Sequence, residues 1–407
     1  MGTLIGFELR KILGNKAGMV ACALALLLMA ALSVGNLASM ATRDIATGEL
    51  VEGFAAQATY RTALESHAGV LDDEHVAQDA AAFDRANQLA QETEGLSDLS
   101  NQEVIDTYGP EFWGETRGVL EQGYYMEVVG TLESASPRAT SLREGAEARI
   151  GGALDFGFAG YFPYSEAERA YWKGKLDAIS WPVEYGYAEG WHNVLNWMSF
   201  SGLVIVAACI ALSGAFAGEY QERTAAVVLP TRRGKRALPA AKAAASLIFV
   251  TAYWWACGLV VIGINVGICG ADGWNLPLQV ALGFDNPYPL TIGQTVLLLY
   301  GLGYLIALGM AAFTMVLSAK MRSTMPVAVI PMAVVFLGMF GLFITPLTKV
   351  AALTPLAGLN YAFDRMLSYA AGPVVADLPT VLAVLYAAML ALLTPLAMRA
   401  FRKHQVA

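Results

Sequence analysis

The chain has 407 residues, of which 56% are hydrophobic and only 15% charged, with a formal net charge of −8. That balance lies outside the usual range of soluble globular domains. The charge is also unevenly divided, since residues 41–193 hold 10 Lys/Arg against 27 Asp/Glu and the remainder holds 16 against 7.

The first 16 residues place Ile5, Leu9, Ile12 and Leu13 at helical spacing, with Glu8, Arg10 and Lys11 mostly off that stripe. This pattern predicts an amphipathic helix lying in the inner membrane interface. Six uncharged runs follow along the chain, at about 17–40, 194–218, 243–268, 292–318, 326–348 and 379–399. Each is long enough to cross a hydrocarbon core as a helix. Their lack of period-2 alternation argues against a barrel. The expected fold class is an all-α polytopic membrane protein with six transmembrane helices. The first run has a basic flank and small residues after it, as a cleaved signal peptide does. Its length and the charge layout favour retention as a span.

Basic residues outside 41–193 cluster at Arg10/Lys11/Lys16, Arg223 to Lys242, Lys320/Arg322 and Arg399/Arg402/Lys403. All four clusters share one side if the six spans alternate, which sets an N-in/C-in topology by the positive-inside rule. Residues 41–193 are then an extracytoplasmic domain, 219–242 a cytosolic loop and 400–407 a cytosolic tail.

The extracytoplasmic domain is expected to be mainly helical. Val76, Ala80, Phe83 and Ala90 fall on one helix face, and Ser100 with Glu103 and Ser165 with Glu168 have capping-box spacing. Gly109-Pro110 and Gly151-Gly152 are expected to break helices. With no Cys between residues 41 and 193, such a domain must hold together through its own apolar core. The stretch 156–191 is rich in Phe, Tyr and Trp, which suits core packing, interfacial anchoring or contact with a substrate. Residues 269–291 form an outer loop rich in turn formers. Residues 346–378, interrupted by Pro346, Pro355, Gly358 and Pro373, suit a re-entrant pair of short helices.

Chemical motifs are sparse. The sequence contains no G-x-x-x-x-G-K-[ST] phosphate loop, no H-E-x-x-H pair and no paired Cys ligands, so neither a nucleotide site nor a zinc site is expected. His67 and His75 flank Asp72-Asp73-Glu74, more plausibly as a solvated helix face than as a metal site. The four Cys, at 22, 209, 257 and 269, are assigned no role. The span interiors as delimited above lack Asp, Glu, Lys and His, which weighs against an ion-coupled carrier. Gly214/Gly218 and Gly263/Gly267 have GxxxG spacing, allowing helices to approach. Tyr253-Trp254-Trp255 and Asn265 sit in the third run. Packing is their default role, and the sharper reading has Trp254, Trp255 and Asn265 lining a pathway or a subunit interface.

Six spans, an amphipathic start and a basic loop between the second and third spans together resemble the permease subunits of ABC-2 type ABC transporters. In that family a Glu ends the second span, followed by a Glu/Gly-Thr step, a Leu-rich turn, a Pro, a basic residue and a later Lys. The corresponding residues here are Glu219, Glu222 with Thr224, Val228-Leu229, Pro230, Arg232-Arg233 and Lys242. Arg223 stands where the family often has Gly. The opening FELRKIL at 7–13 and the Thr354-Pro355-Leu356 break are also similar to family features.

The resemblance implies a permease that couples ATP hydrolysis on two copies of a separate ABC ATPase subunit to export across a bacterial-type plasma membrane. It implies no enzymatic activity and no cofactor in this chain, with ATP-Mg on the partner. It also implies a second permease chain, as homodimer or related heterodimer, and no nucleic-acid partner. Glu219, Glu222, Arg223, Thr224, Val228, Leu229, Pro230, Arg232 and Arg233 would dock the ATPase. The competing expectation is a membrane-anchored receptor or assembly protein whose external domain binds a ligand.

Overall fold

A computed structural model describes residues 1–44, 46–224 and 237–403. It is mostly helical, at 72%, and contains six helices long and apolar enough to cross a membrane: Lys16–Ala38, Gly202–Gln221, Ala237–Cys269, Ile292–Lys320, Thr324–Leu342 and Leu378–Lys403. These are the first to sixth spans below. The fold is not purely α, because among the described residues three two-stranded antiparallel sheets accompany the helices, two of them hairpins and the third pairing Gly69–Val70 with Glu184–Tyr185. The residues cluster into two compact units. One comprises Met1–Ala31, Val194–Ile264 and Val296–Ala407, and the other Leu32–Asn193 with Asn265–Thr295.

In the first unit the second and fourth spans form the interior, with 78% and 61% of their most apolar windows buried, against 17–33% for the other four. The second span begins at Gly202 and not at 194, because residues Glu189–Ser199 form a separate helix. It is interrupted at Ser213, and the cause lies on the fourth span. The Ser318 hydroxyl donates to the Ser213 carbonyl at 2.8 Å and accepts from the Phe216 and Ala217 amides, both at 2.9 Å. It thereby stands in for the helical bond that Ala217 would make to Ser213, and a side chain inserted into the ladder in this way bends a helix. Below the break, Phe216, Leu238, Met315, Val316, Ala397 and Phe401 join four spans in one apolar cluster.

Close helix approach occurs where the sequence did not point. A Cβ added to Gly18 on the first span would lie 2.5 Å from Ala211 Cα on the second, and one added to Gly338 would lie 1.6 Å from Thr354 Oγ1. By contrast, nothing lies within 4 Å of such a Cβ at Gly218, Gly263 or Gly267. At Gly214 it would meet only Thr324, at 3.9 Å, so among the described residues neither GxxxG pair marks a close helix approach.

Residues 345–377 contain the expected short helices, with Thr354 at the N-cap position of Pro355–Tyr361 and Pro355 in its first turn. They continue into an unexpected hairpin, Ser368–Ala371 with Val374–Asp377. Gly372 has φ +63° and takes the first turn position, as a type II′ connection requires.

The second unit is built mainly of short helices. Both expected capping boxes form, Ser100 with Glu103 and Ser165 with Glu168. Gly109-Pro110 separates two helices as expected. Gly151-Gly152 does not, because the helix Leu142–Phe156 runs through both. Leu142, Ala146, Ile150 and Leu154 are buried along one side of it, and their burial outweighs the modest penalty of two interior glycines. A core cluster of Leu96, Val104 and Trp113 packs a second group of helices.

Residues 269–291, expected as a plain outer loop, fall within the segment Asn265–Thr295 that belongs to this unit. Asp272 meets Arg61 at 3.2 Å, Trp191 donates to the Ala271 carbonyl at 2.9 Å, and Lys175 lies 3.9 Å from the centre of the Tyr288 ring. Within the aromatic stretch 156–191, Phe158, Tyr164, Trp172 and Tyr187 are buried, whereas Phe156 and Tyr161 are exposed. The other five rings, Phe162, Tyr171, Trp181, Tyr185 and Trp191, are half-buried.

Candidate functional site

The N-terminal helix, Gly2–Gly14, is formed as expected, but its buried side is not the apolar stripe. Glu8 and Ile12 are buried, Ile5 and Leu9 only partly so, and Phe7 and Leu13 are exposed. The reason is a partner. Lys242 Nζ lies 2.8 Å from Glu8 Oε2 and 3.0 Å from Glu219 Oε1. Lys11 Nζ lies 2.7 Å from the same Glu219 oxygen and 3.7 Å from Glu8 Oε1. Two carboxylates and two ammonium groups alternate around one point.

The relative exposures of the Glu8, Glu219 and Lys242 side chains are 5%, 5% and 2%. Charges buried to this degree persist only when each is paired and hydrogen-bonded. The Thr224 hydroxyl supplies a further hydrogen bond to Glu219. Lys11 is nearly half exposed. Burial pulls its pKa down, yet the hydrogen bond to Glu219 and the charges of Glu8, Glu219 and Glu222 outweigh that, leaving it raised.

This cluster corrects two expectations. Glu8 had been placed on the polar side of an interfacial helix. Lys242 had been placed at the end of a loop spanning 219–242, whereas it lies inside the third span, which starts at Ala237. Likewise Glu219 lies within the second span, which extends to Gln221. The spans do hold buried charged residues, and they hold them as a neutral set.

Of the residues expected to dock a partner, Glu219 and Thr224 belong to the cluster. Glu222 lines a cleft of about 720 Å³ beside it, bounded also by Asn15, Gly214, Thr324 and Met325. Arg223 is exposed at φ +57°, a left-handed conformation uncommon for a residue other than Gly. Val228, Leu229, Pro230, Arg232 and Arg233 lie outside the described residues. Reasoning from sequence missed Glu8 and Lys11 as members of the site. The available signal was that Glu8, Lys11 and Ile12 recur at i, i+3 and i+4, a stripe as regular as the apolar one.

Trp254 is buried against the fourth span, where a Cβ on Gly303 would meet its ring at 2.6 Å. Trp255 is 47% exposed and packs on Tyr300, with ring centres 4.9 Å apart. The cavity beside Trp254 measures about 10 Å³, room for roughly one water. Asn265 is buried, in the other compact unit.

In the second unit His67 stacks on Tyr124 with centroids 4.1 Å apart and bonds to Gln122, while His75 pairs with Asp79. Among the described residues, no group of three or more His, Cys, Asp or Glu side chains is placed to hold a metal ion. The four cysteines are free and buried.

The six span helices define a multi-pass membrane protein. No protein-family model matches the chain, and comparison with curated proteins and with solved structures gave no match.

Proposed function

We propose that this chain is the permease subunit of an ATP-driven exporter of the ABC-2 kind, docking a separate ATPase through the segment between the second and third spans. The reading is supported by the buried cluster of Glu8, Lys11, Glu219 and Lys242. Glu219 stands just before that segment and Lys242 just after it, and both are held to the N-terminal helix. A force applied to the segment is thereby delivered to the second span, the third span and the N-terminal helix together. Spans that move as packed bodies against bistable interfaces need such a rigid joint. In this reading the basic ends of the spans face the cytosol, and residues 41–193 lie outside.

An ATPase with a phosphate-loop motif encoded beside this chain would supply the test. Co-expressed wild-type chain is expected to retain the ATPase through purification and to stimulate its hydrolysis. Leu229→Asp or Glu222→Arg should release the ATPase while leaving membrane insertion intact, since charge reversal or a buried carboxylate at a docking anchor costs several kcal/mol. Normal co-purification of both variants would falsify the docking assignment. A wild-type chain that neither holds nor stimulates any such ATPase would favour the alternative, a membrane-anchored receptor whose external domain binds a ligand.

A further inference from the structure

The second unit contains a cavity of about 330 Å³, within the lower range of small-molecule sites. Tyr60, Tyr124 and Tyr185 line it together with Glu127, Glu189 and His192. None of its lining residues is Lys or Arg.

The aromatic wall is electron-rich for a visible reason. Tyr124 donates its hydroxyl to the buried Asp79 at 2.6 Å, and a phenol bonded to a carboxylate carries more negative charge on its ring. Tyr185 leans on Tyr124 with centroids 4.8 Å apart. The carboxylates differ in their commitments. Glu127 faces Arg149 at 3.1 Å and accepts from the Phe284 amide at 3.3 Å, so much of its charge is answered. Glu189 accepts from the uncharged Asn193 at 3.0 Å and lies 3.6 Å from His192 Nδ1. Aromatic side chains and a carboxylate lining one cavity attract a cation, and the rings favour one whose charge is spread over alkyl groups. The surrounding stretch 41–193, with 27 acidic residues against 10 basic, concentrates cations near its mouth.

We infer that this cavity is a binding site for a small organic cation, an alkylated or primary ammonium compound, held by Tyr60, Tyr124 and Tyr185 and charge-matched by Glu189. The assignment stands whether or not the chain is a transporter. A receptor would use the site to sense the cation, and an exporter to receive or regulate it.

The test titrates the purified full-length protein with choline and, in parallel, with 3,3-dimethyl-1-butanol, its uncharged isostere, at constant ionic strength. A second pair, n-butylammonium and n-butanol, asks the same of a primary amine. Saturable binding of either cation, with its neutral partner about threefold to thirtyfold weaker, is the expected result. Which cation binds more tightly tells whether the natural ligand is quaternary or primary. Glu189→Gln and Tyr60→Leu should each weaken the cation by a similar factor. Glu121→Gln removes the same charge from a carboxylate lining only the adjacent cavity and should leave binding unchanged. Thermal melts establish that each variant is folded. Binding of neither cation, equal binding of the neutral isosteres, or equal weakening by Glu121→Gln would each overturn the proposal.

Discussion

The four-charge cluster sets the most demanding condition at the level of single residues. Removing one partner of a buried ion pair typically costs about 3–5 kcal/mol, because the remaining charge is left without compensation. Lys242→Met would leave Glu8 and Glu219 to share the half-exposed Lys11, so a loss of about 3 kcal/mol is expected in detergent-solubilised melts. Adding Glu8→Gln to that variant should recover part of the loss, since the two residues share one network. Strictly additive losses would mean that they do not.

His67 gives a pH prediction. Burial lowers its pKa below the ordinary 6.5, and the Gln122 hydrogen bond and the Asp79 charge only partly offset this. The unfolded chain therefore binds a proton more readily than the folded one just below pH 6.5. The stability contribution is fully present above that value and declines as the pH falls through the folded pKa. Melting temperatures should drop between pH 7 and pH 5 by more in wild type than in His67→Gln. Lys11 has the opposite sign at the alkaline end. Its raised pKa stabilises the fold up to about pH 10.5 and loses that effect as the pH climbs through the folded value.

Among the elements, the second span carries the informative departure from regularity. Ser318→Ala removes the acceptor of the Phe216 and Ala217 amides. Unsatisfied buried donors cost about 1–3 kcal/mol, so a loss in that range is expected unless the helix closes its own ladder at Ser213. Gly338→Ala must displace Thr354 and should cost about 1–3 kcal/mol by overpacking. Gly263→Ala, with open space around it, adds no clash and should be neutral or stabilising by up to about 1 kcal/mol. Circular dichroism melts of the three variants rank these effects. The capping boxes and the Gly109-Pro110 break were legible because they depend on residues three or fewer positions apart. The uninterrupted helix through Gly151-Gly152 was not, because its stability comes from side chains buried against other helices.

For the molecule as a whole, the orientation rests on charge asymmetry, and labelling can test it. The native cysteines are buried, so an impermeant maleimide should react mainly with an introduced thiol. Ser97→Cys, at an exposed position, should label in intact cells. Arg402→Cys, also exposed, should label only after permeabilisation. The reverse pattern would place the docking segment on the wrong side for a cytosolic ATPase.

The number and approximate place of the spans, the acidic segment between the first two and the amphipathic start are properties of local composition, and the sequence alone determined them. Hydropathy and helical periodicity act within about 20 residues, the thickness of a bilayer. The burial of Glu8 and the pairing of Lys242 with residues more than 200 and 20 positions away were decided by tertiary structure. So were the merging of 265–295 with the acidic segment and the aromatic cavity that results. A charged side chain carries no local mark of whether it faces water or another charge. Only when the fold brings the opposite charge within hydrogen-bond reach does its burial become favourable.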